Sequence, residues 1–98
     1  MIESFSKSVI DISLKELNKD SDQLWSIKEG KLYREFKFPD FVSAFGFMTK
    51  VAILAERANH HPEWSNIYNR VVISLTTHEA GSISKRDFEL AKEISKII

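Results

Sequence analysis

The chain has 98 residues and no cysteine, and 14 basic residues balance 14 acidic ones to a formal net charge of zero. This length suits a single domain over residues 1–98, and 43% hydrophobic residues with seven Phe favour a folded chain. The lack of cysteine excludes disulfides, thiol nucleophiles and thiolate metal sites. Because no basic run exceeds two residues, we do not expect direct binding of nucleic acid.

No segment of the sequence indicates secretion or membrane insertion. The first residues lack a positively charged start followed by an apolar stretch, so no signal peptide is expected. The most apolar region, Phe41 to Ala55, is interrupted by Lys50 and is too short to span a bilayer. We therefore expect a cytoplasmic protein without membrane contact.

The first third of the chain predicts one helix and two strands. Apolar side chains recur at intervals of three to four over residues 8–19, which is typical of a helix. A short strand is expected at Gln23–Lys28, followed by a turn at Glu29-Gly30. Apolar residues then alternate over Lys31–Phe38, which predicts a second strand.

One charged residue interrupts the apolar face of that second strand. Arg34 shares the face with Leu32, Phe36 and Phe38. Its guanidinium either reaches water at an edge of the sheet, or a partner covers part of the face. We favour the edge.

A long helix is predicted after Pro39, with Asp40 as its N-cap. It has to end before Pro62, because the residue before a proline avoids the helical conformation. Glu56 and His60 are then four residues apart near its end and lie on the same side. The apolar stripe of this helix is interpreted as core: Phe41, Ala44, Phe45, Met48, Val51, Ala52 and Ala55.

The second half predicts two strands and a last helix. The strands are Ser65–Asn69 and Val71–Thr77, with Asn69-Arg70 as a tight connection or a kink. The helix begins at Ser84–Asp87 and turns Phe88, Ala91, Ile94 and Ile98 inward. Without βαβ alternation, this order predicts an α+β fold. It is a two-layer domain in which three helices cover one face of a four-stranded antiparallel sheet.

All three histidines of the chain fall within residues 60–78. His60 and His61 form an adjacent pair followed by Pro62, and His78 is placed at the end of a strand. Imidazole is the side chain best suited to give or take a proton near neutral pH. We expect the three side chains to line one rim of the domain and to carry acid–base chemistry.

Two other interpretations of the histidines remain. Three histidines with Glu56 or Glu79 satisfy the ligand count of zinc. However, His60 and His61 project in different directions and do not easily share one metal. The histidines also suit the ends of a helix and a strand, where they cap the backbone.

The sequence around the histidines resembles the pterin-4a-carbinolamine dehydratases. The family motif is a charged residue, three residues, His-His-Pro, and an aromatic residue shortly afterwards. A further histidine and then an aspartate follow. The resemblance is strongest over residues 14–97 and includes the segment Leu32–Phe38. The motif positions in this chain are Glu56, His60, His61, Pro62, Tyr68, His78 and Asp87.

The resemblance implies a reaction and a set of partners. The family dehydrates 4a-hydroxytetrahydropterin to quinonoid dihydropterin and so recycles the tetrahydropterin used by aromatic amino acid hydroxylases. It uses no metal and no organic cofactor, and its members are homodimers or homotetramers. Some members also act as dimerisation partners of a transcription factor, so an interaction module is the alternative function.

The resemblance also implies residue roles. His60 and His78 are assigned as general acids, and His61 as the group that orients the pterin or exchanges protons with it. Glu56 anchors a ring nitrogen or polarises a histidine. Asp87 is either catalytic or completes a capping box, and Trp64 either walls the pocket or belongs to the core. The full set of predicted substrate-binding residues is Glu56, Pro62, Trp64, Thr77, Glu79 and Asp87.

Overall fold

The computed structural model describes residues 2–19, 21 and 24–98. The α+β fold and the order of its elements are confirmed. No helix in this described part of the chain is long and apolar enough to cross a membrane. The elements are α1 (Lys7–Leu17), β1 (Ser26–Lys28), β2 (Lys31–Lys37), α2 (Phe41–Ala58), β3 (Glu63–Ile67), β4 (Arg70–Leu75), a 3₁₀ turn (His78–Ala80) and α3 (Lys85–Lys96).

The four strands form one antiparallel sheet in the order β1-β2-β4-β3. Side chains alternate between the two faces of the sheet, and the face under the helices is buried. Leu32 pairs with Leu75, and Phe36 pairs with Val71. The remaining core side chains that pack on this face from the helices include Ala44, Phe47, Val51, Leu90, Ala91 and Ile94.

The connection between β3 and β4 is a tight two-residue turn. Tyr68 and Asn69 occupy it, and Tyr68 has a positive φ of 49°. The side-chain amide of Asn66 donates to the carbonyls of Tyr68 and Arg70 and closes the turn. The strand before this turn, β3, begins at Glu63, directly after Pro62 and two residues earlier than predicted.

The end of α1 is joined to the start of β1. The side chain of Asn18 donates to the carbonyl of Trp25 and accepts from its N–H. This pair of bonds holds Trp25, which is buried. The predicted start of β1 at Gln23 lies outside the described residues.

The prediction of which side of α2 faces the core is partly wrong. Ala44, Val51 and Ala55 are buried as expected, but Phe41, Phe45 and Ala52 are exposed. Phe47 takes the inward position and packs on Phe36 and Phe38, with ring centroids 4.8 and 4.9 Å apart. The helix is apolar on several sides, so its spacing alone did not define which side meets the sheet.

Two further expectations are corrected. Arg34 does not reach a sheet edge, because β2 is an inner strand between β1 and β4, and the residue is 7% exposed. Ile98 is exposed because α3 ends at Lys96. The inward positions of Phe88, Ala91 and Ile94 are confirmed.

Candidate active site

His60 is directed into the protein by the way α2 ends. Asn59 has a left-handed conformation with φ of 50°, as is typical of the residue just after a helix. The N–H of His60 then donates to the carbonyl of Ala55. This reversal takes the chain out of the helix before Pro62 and leaves His60 8% exposed.

The buried ring of His60 is paired with a buried carboxylate. Its Nε2 lies 2.5 Å from Oδ1 of Asp87, which is fully buried. The other oxygen, Oδ2, accepts from the hydroxyl of Thr77 at 2.8 Å and from the N–H of Ser84 at 2.9 Å. An ionised carboxylate has no proton to donate, so Nε2 is assigned as the donor to Asp87. This bond sets the orientation and the tautomer of the ring.

The same carboxylate begins α3. Ser84 is the N-cap of this helix, and Asp87 is its third residue, with both bonds of a capping box formed. The capping box considered at Asp87 from the sequence is therefore present. Since Asp87 also contacts His60, it joins the start of α3 to the end of α2.

His61 points to solvent and is paired with Glu56. Its side chain is 56% exposed, and its Nε2 lies 2.5 Å from Oε1 of Glu56. Glu56 was expected to share a side of α2 with His60, but its partner is His61, since His60 turns inward. An exposed imidazole held by a carboxylate is accessible to a small molecule.

His78 is the most exposed of the three histidines. Its side chain is 84% exposed, and Nε2 lies 3.5 Å from Oε2 of Glu63. Glu63 also accepts from Nζ of Lys31 at 2.6 Å. This hydrogen bond lowers the pKa of Glu63, and the charges on Lys31 and His78 act in the same direction.

Thr77 and Glu79, on either side of His78, have different environments. Thr77 is buried and its hydroxyl is engaged by Asp87 and Ser84. Glu79 is exposed and lies 3.4 Å from the guanidinium of Arg86. Thr77 thus lies beneath the surface and holds Asp87, whereas Glu79 lies on the surface beside His78.

Two functional candidates, Glu63 and Arg86, were not singled out from the sequence. Glu63 follows Pro62 on the open face of β3 and contacts His78. Arg86 in the first turn of α3 donates to the carbonyl of Asn59 and also approaches Glu79. The available signal for Glu63 was its position next to His-His-Pro, whereas nothing local marks Arg86, whose partners are distant in sequence.

Pro62 and Trp64 hold the chain where it leaves the histidine pair. Pro62 is half-buried. Trp64 is also half-buried, packs against the core, and pairs with Ile73 across β3 and β4. The core interpretation of Trp64 is therefore the one that its contacts favour.

The three histidine–carboxylate pairs are related through neighbours in the chain and through Thr77. His60 and His61 are adjacent in the chain, and Pro62 separates His61 from Glu63, the partner of His78. Thr77 precedes His78 and donates to Asp87, the partner of His60. Over residues 2–19, 21 and 24–98, no group of three or more His, Cys, Asp or Glu side chains is placed to hold a metal ion.

The family profile described as "Pterin 4 alpha carbinolamine dehydratase" matches residues 5–97 of the chain. A protein from Solibacter usitatus (strain Ellin6076) is 48% identical over 97 residues, which cover 99% of this chain and 97% of that protein. One from a strain of Prochlorococcus marinus is 52% identical over 84 residues, or 86% of each chain. Both carry the provisional name pterin-4-alpha-carbinolamine dehydratase.

A solved structure has the same fold. The crystal structure from Brucella melitensis described as a transcriptional coactivator/pterin dehydratase superposes with a TM-score of 0.86. It is 37% identical in sequence, and the match covers 97% of this chain and 98% of that one.

Proposed function

This chain belongs to the pterin-4a-carbinolamine dehydratase family, and we propose that it dehydrates 4a-hydroxytetrahydropterin to quinonoid dihydropterin. The observation that carries this proposal is the His60–Asp87 pair, set beside two exposed histidines, each with its own carboxylate. Such an arrangement supplies oriented groups that accept and donate protons.

The reaction requires two proton transfers and no change in oxidation state. The bond between C4a and the hydroxyl oxygen breaks, and this oxygen takes up a proton to leave as water. The neighbouring ring nitrogen loses a proton, and its electron pair forms the double bond to C4a. An acid on one side of the pterin and a base on the other complete the step.

The geometry supports a division of roles among the histidines. His60 donates through Nε2 to Asp87, so Nδ1 is the nitrogen that exchanges a proton with the substrate. His78, held by Glu63, is the second proton-transfer group. His61, held by Glu56, orients the pterin from the solvent side.

The neighbouring polar residues act on the site in two ways. Glu56 and Glu79 are exposed and available to hydrogen-bond the pterin ring. Thr77 and Asp87 are buried and act as positioning residues through His60. We propose that none of these groups needs a metal or an organic cofactor.

The test is a dehydration assay on 4a-hydroxytetrahydropterin with the wild-type protein and three variants, His60→Ala, His61→Ala and His78→Ala. We expect the wild type to exceed the uncatalysed rate. We expect His60→Ala and His78→Ala each to lower kcat by about 100-fold, as for loss of a general acid or base. For His61→Ala we expect mainly a higher KM. Circular dichroism verifies that each variant is folded.

Two outcomes would overturn the proposal. One is a set of four folded proteins that all match the uncatalysed rate. The other is a stoichiometric metal in the purified protein whose removal abolishes turnover and whose return restores it.

A second candidate function is supported by one side of α2. Phe41, Val42, Phe45 and Ile53 are exposed apolar residues on this helix, and apolar surface of this kind is typical of protein interfaces. The solved relative is described as a coactivator as well as a dehydratase. We propose that α2 pairs with a second copy to form a homodimer or homotetramer, and that a transcription regulator is the alternative occupant.

A further inference from the structure

Arg34 has an unusual position that the proposed dehydration does not use. It lies on the inner strand β2, points into the helical layer with Leu32 and Phe36, and is 7% exposed. Arginine is almost never this buried without a partner for its charge. Its environment therefore needs a specific explanation.

The guanidinium of Arg34 is only partly satisfied by the protein. Nη1 lies 3.5 Å from the hydroxyl of Ser95, at the limit of a hydrogen bond. The ring centroids of Phe36 and Trp25 lie 4.6 and 5.8 Å from the guanidinium carbon. Within the described part of the chain, Nε has no hydrogen-bond partner. No carboxylate there lies within ion-pairing distance of this arginine.

A buried charge without a carboxylate partner among the described residues is unfavourable. Burial lowers the pKa of Arg34, because removal from water penalises the charged form. An anion next to the guanidinium would offset that penalty. Arginine offers a carboxylate two parallel N–H donors in one plane, and the unpartnered Nε is one of them.

Arg34 lines a cavity of about 920 Å³ between α1 and α3. This volume is in the range of pockets that hold small organic molecules. Trp25 and Ser95 line it beside Arg34, and Trp25 Nε1 donates to the Ser95 hydroxyl at 2.9 Å. The apolar side chains that also line the cavity are Phe5, Ile12, Leu17, Phe88 and Ile98.

Charge around the cavity also favours an anion. Among the described residues, four lysines line it in addition to Arg34, against two glutamates, Glu16 and Glu89. None of the three histidines and neither Glu56 nor Asp87 lines the cavity. The cavity is thus distinct from the candidate active site.

We propose that this cavity binds a small organic carboxylate with an apolar body. Its carboxylate pairs with Nε and a terminal nitrogen of Arg34, and its hydrocarbon or aromatic portion packs between α1 and α3. A bare inorganic anion would leave the apolar walls without contact, and a neutral molecule would leave the guanidinium unpaired. The site is therefore specific for the combination of the two.

The first experiment needs only the wild-type protein. Octanoate, octanamide and inorganic phosphate are titrated by calorimetry at neutral pH, and the indole N–H signals of Trp25 and Trp64 are followed by NMR. We expect octanoate to bind at least about tenfold more tightly than octanamide, since a charge-assisted pair is lost with the amide. Phosphate should bind more weakly than octanoate, and the Trp25 signal should shift more than that of Trp64.

Equal affinity for octanoate and octanamide would overturn the role of Arg34. No binding of octanoate at millimolar concentration would overturn the site itself. Phosphate binding as tight as octanoate would contradict the apolar component, and shifts confined to Trp64 would place the ligand elsewhere.

Variants provide the second line of evidence. Arg34→Met removes the charge and keeps the approximate volume, and we expect it to lose the preference for octanoate over octanamide. Arg70→Met is the matched control, because Arg70 is exposed and pairs with Glu35 on the other face of the sheet. If Arg34→Met does not fold, Arg34→Lys retains the charge without the planar fork, and we expect several-fold weaker octanoate binding. Wild-type affinity in either folded variant would contradict the proposal.

Discussion

The single carboxylate of Asp87 connects the start of α3 to His60. One oxygen faces His60, and the other accepts from Thr77 and from the backbone of Ser84. All these groups are buried. A group with this many fixed bonds holds its neighbours in one orientation, which is what a proton-transferring imidazole requires.

We predict that Asp87→Asn lowers kcat by about 100-fold or more and the free energy of unfolding by about 1–3 kcal/mol. The amide presents a donor where the carboxylate only accepts, so at least one of its present partners loses its bond. Steady-state dehydration kinetics and urea unfolding measure the two effects.

Asp40→Asn is the matched control for that change. Asp40 is also a helix-capping aspartate, and it accepts from the N–H of Ser43 at 2.8 Å, but it contacts no histidine. Because asparagine is also a good N-cap, this variant should keep wild-type kinetics. A kinetic defect as large as that of Asp87→Asn would show that loss of any capping carboxylate suffices.

At the scale of the elements, the ends of two helices position the buried residues of the candidate site. α2 begins at the Asp40 cap and ends at the left-handed Asn59, which turns His60 inward. α3 begins at the capping box of Ser84 and Asp87. The site therefore forms where the end of one helix meets the start of another.

The Asp40 cap predicts a pH dependence of stability. The hydrogen bond from Ser43 lowers the pKa of Asp40 in the folded protein, whereas the unfolded value is about 3.9. A depressed folded pKa stabilises the protein above the unfolded pKa, and this contribution disappears as the pH falls through the lower folded value. We expect the Tm of wild type minus the Tm of Asp40→Asn to decrease as the pH falls below about 4. A difference that stays constant from about pH 7 to well below the unfolded pKa would contradict this.

Arg86 connects three elements and predicts a positioning effect. It donates to the carbonyl of Asn59 at the end of α2 and reaches Glu79 on the 3₁₀ turn. We predict that Arg86→Lys lowers kcat/KM by about tenfold, because lysine lacks the fork that reaches both partners. The expected change in Tm is small, and a shifted pH profile of kcat would separate positioning from simple destabilisation.

The control for Arg86 is Arg57→Lys. Arg57 is exposed in the last turn of α2, and we expect this variant to behave as wild type. Equal losses in the two variants would contradict a specific positioning role for Arg86.

At the scale of the whole molecule, one face of the sheet and one side of α2 are left without cover. The uncovered face of the sheet carries ion pairs such as Arg70–Glu35 and Lys31–Glu63. The exposed side of α2 instead carries Phe41 and Phe45, whose ring centroids lie 6.0 Å apart. The charged face is suited to water, and the apolar side of α2 is suited to a protein partner.

We predict that Phe45→Glu lowers the oligomeric state of the protein. A charge in the middle of the exposed side of α2 would be desolvated on pairing. Light scattering should show a larger assembly for the wild type and a smaller one for the variant. Val9→Glu on α1 introduces the same charge at another exposed apolar position and should leave the mass unchanged. A wild-type monomer at working concentration would contradict the prediction.

Patterns confined to short stretches of sequence determined much of this protein. The order of the elements, the Asp40 cap, the capping box of Ser84 and Asp87, and the end of α2 before Pro62 were all predictable. Each depends on residues within a few positions of one another, where backbone geometry and capping chemistry act locally. The histidine motif, which runs from Glu56 to Asp87, was instead recognised by its resemblance to a known family.

Only the tertiary structure decided which distant groups meet. The pairing of His60 with Asp87 spans 27 residues, and the pairing of Glu63 with His78 depends on how β3 and β4 are placed. The inward position of Phe47 and the burial of Arg34 depend on which side of α2 faces the sheet and on the strand order β1-β2-β4-β3. Hydrophobic burial is non-directional. An apolar stripe therefore shows that an element is buried on one side, but the arrangement of the other elements determines which surface it packs against.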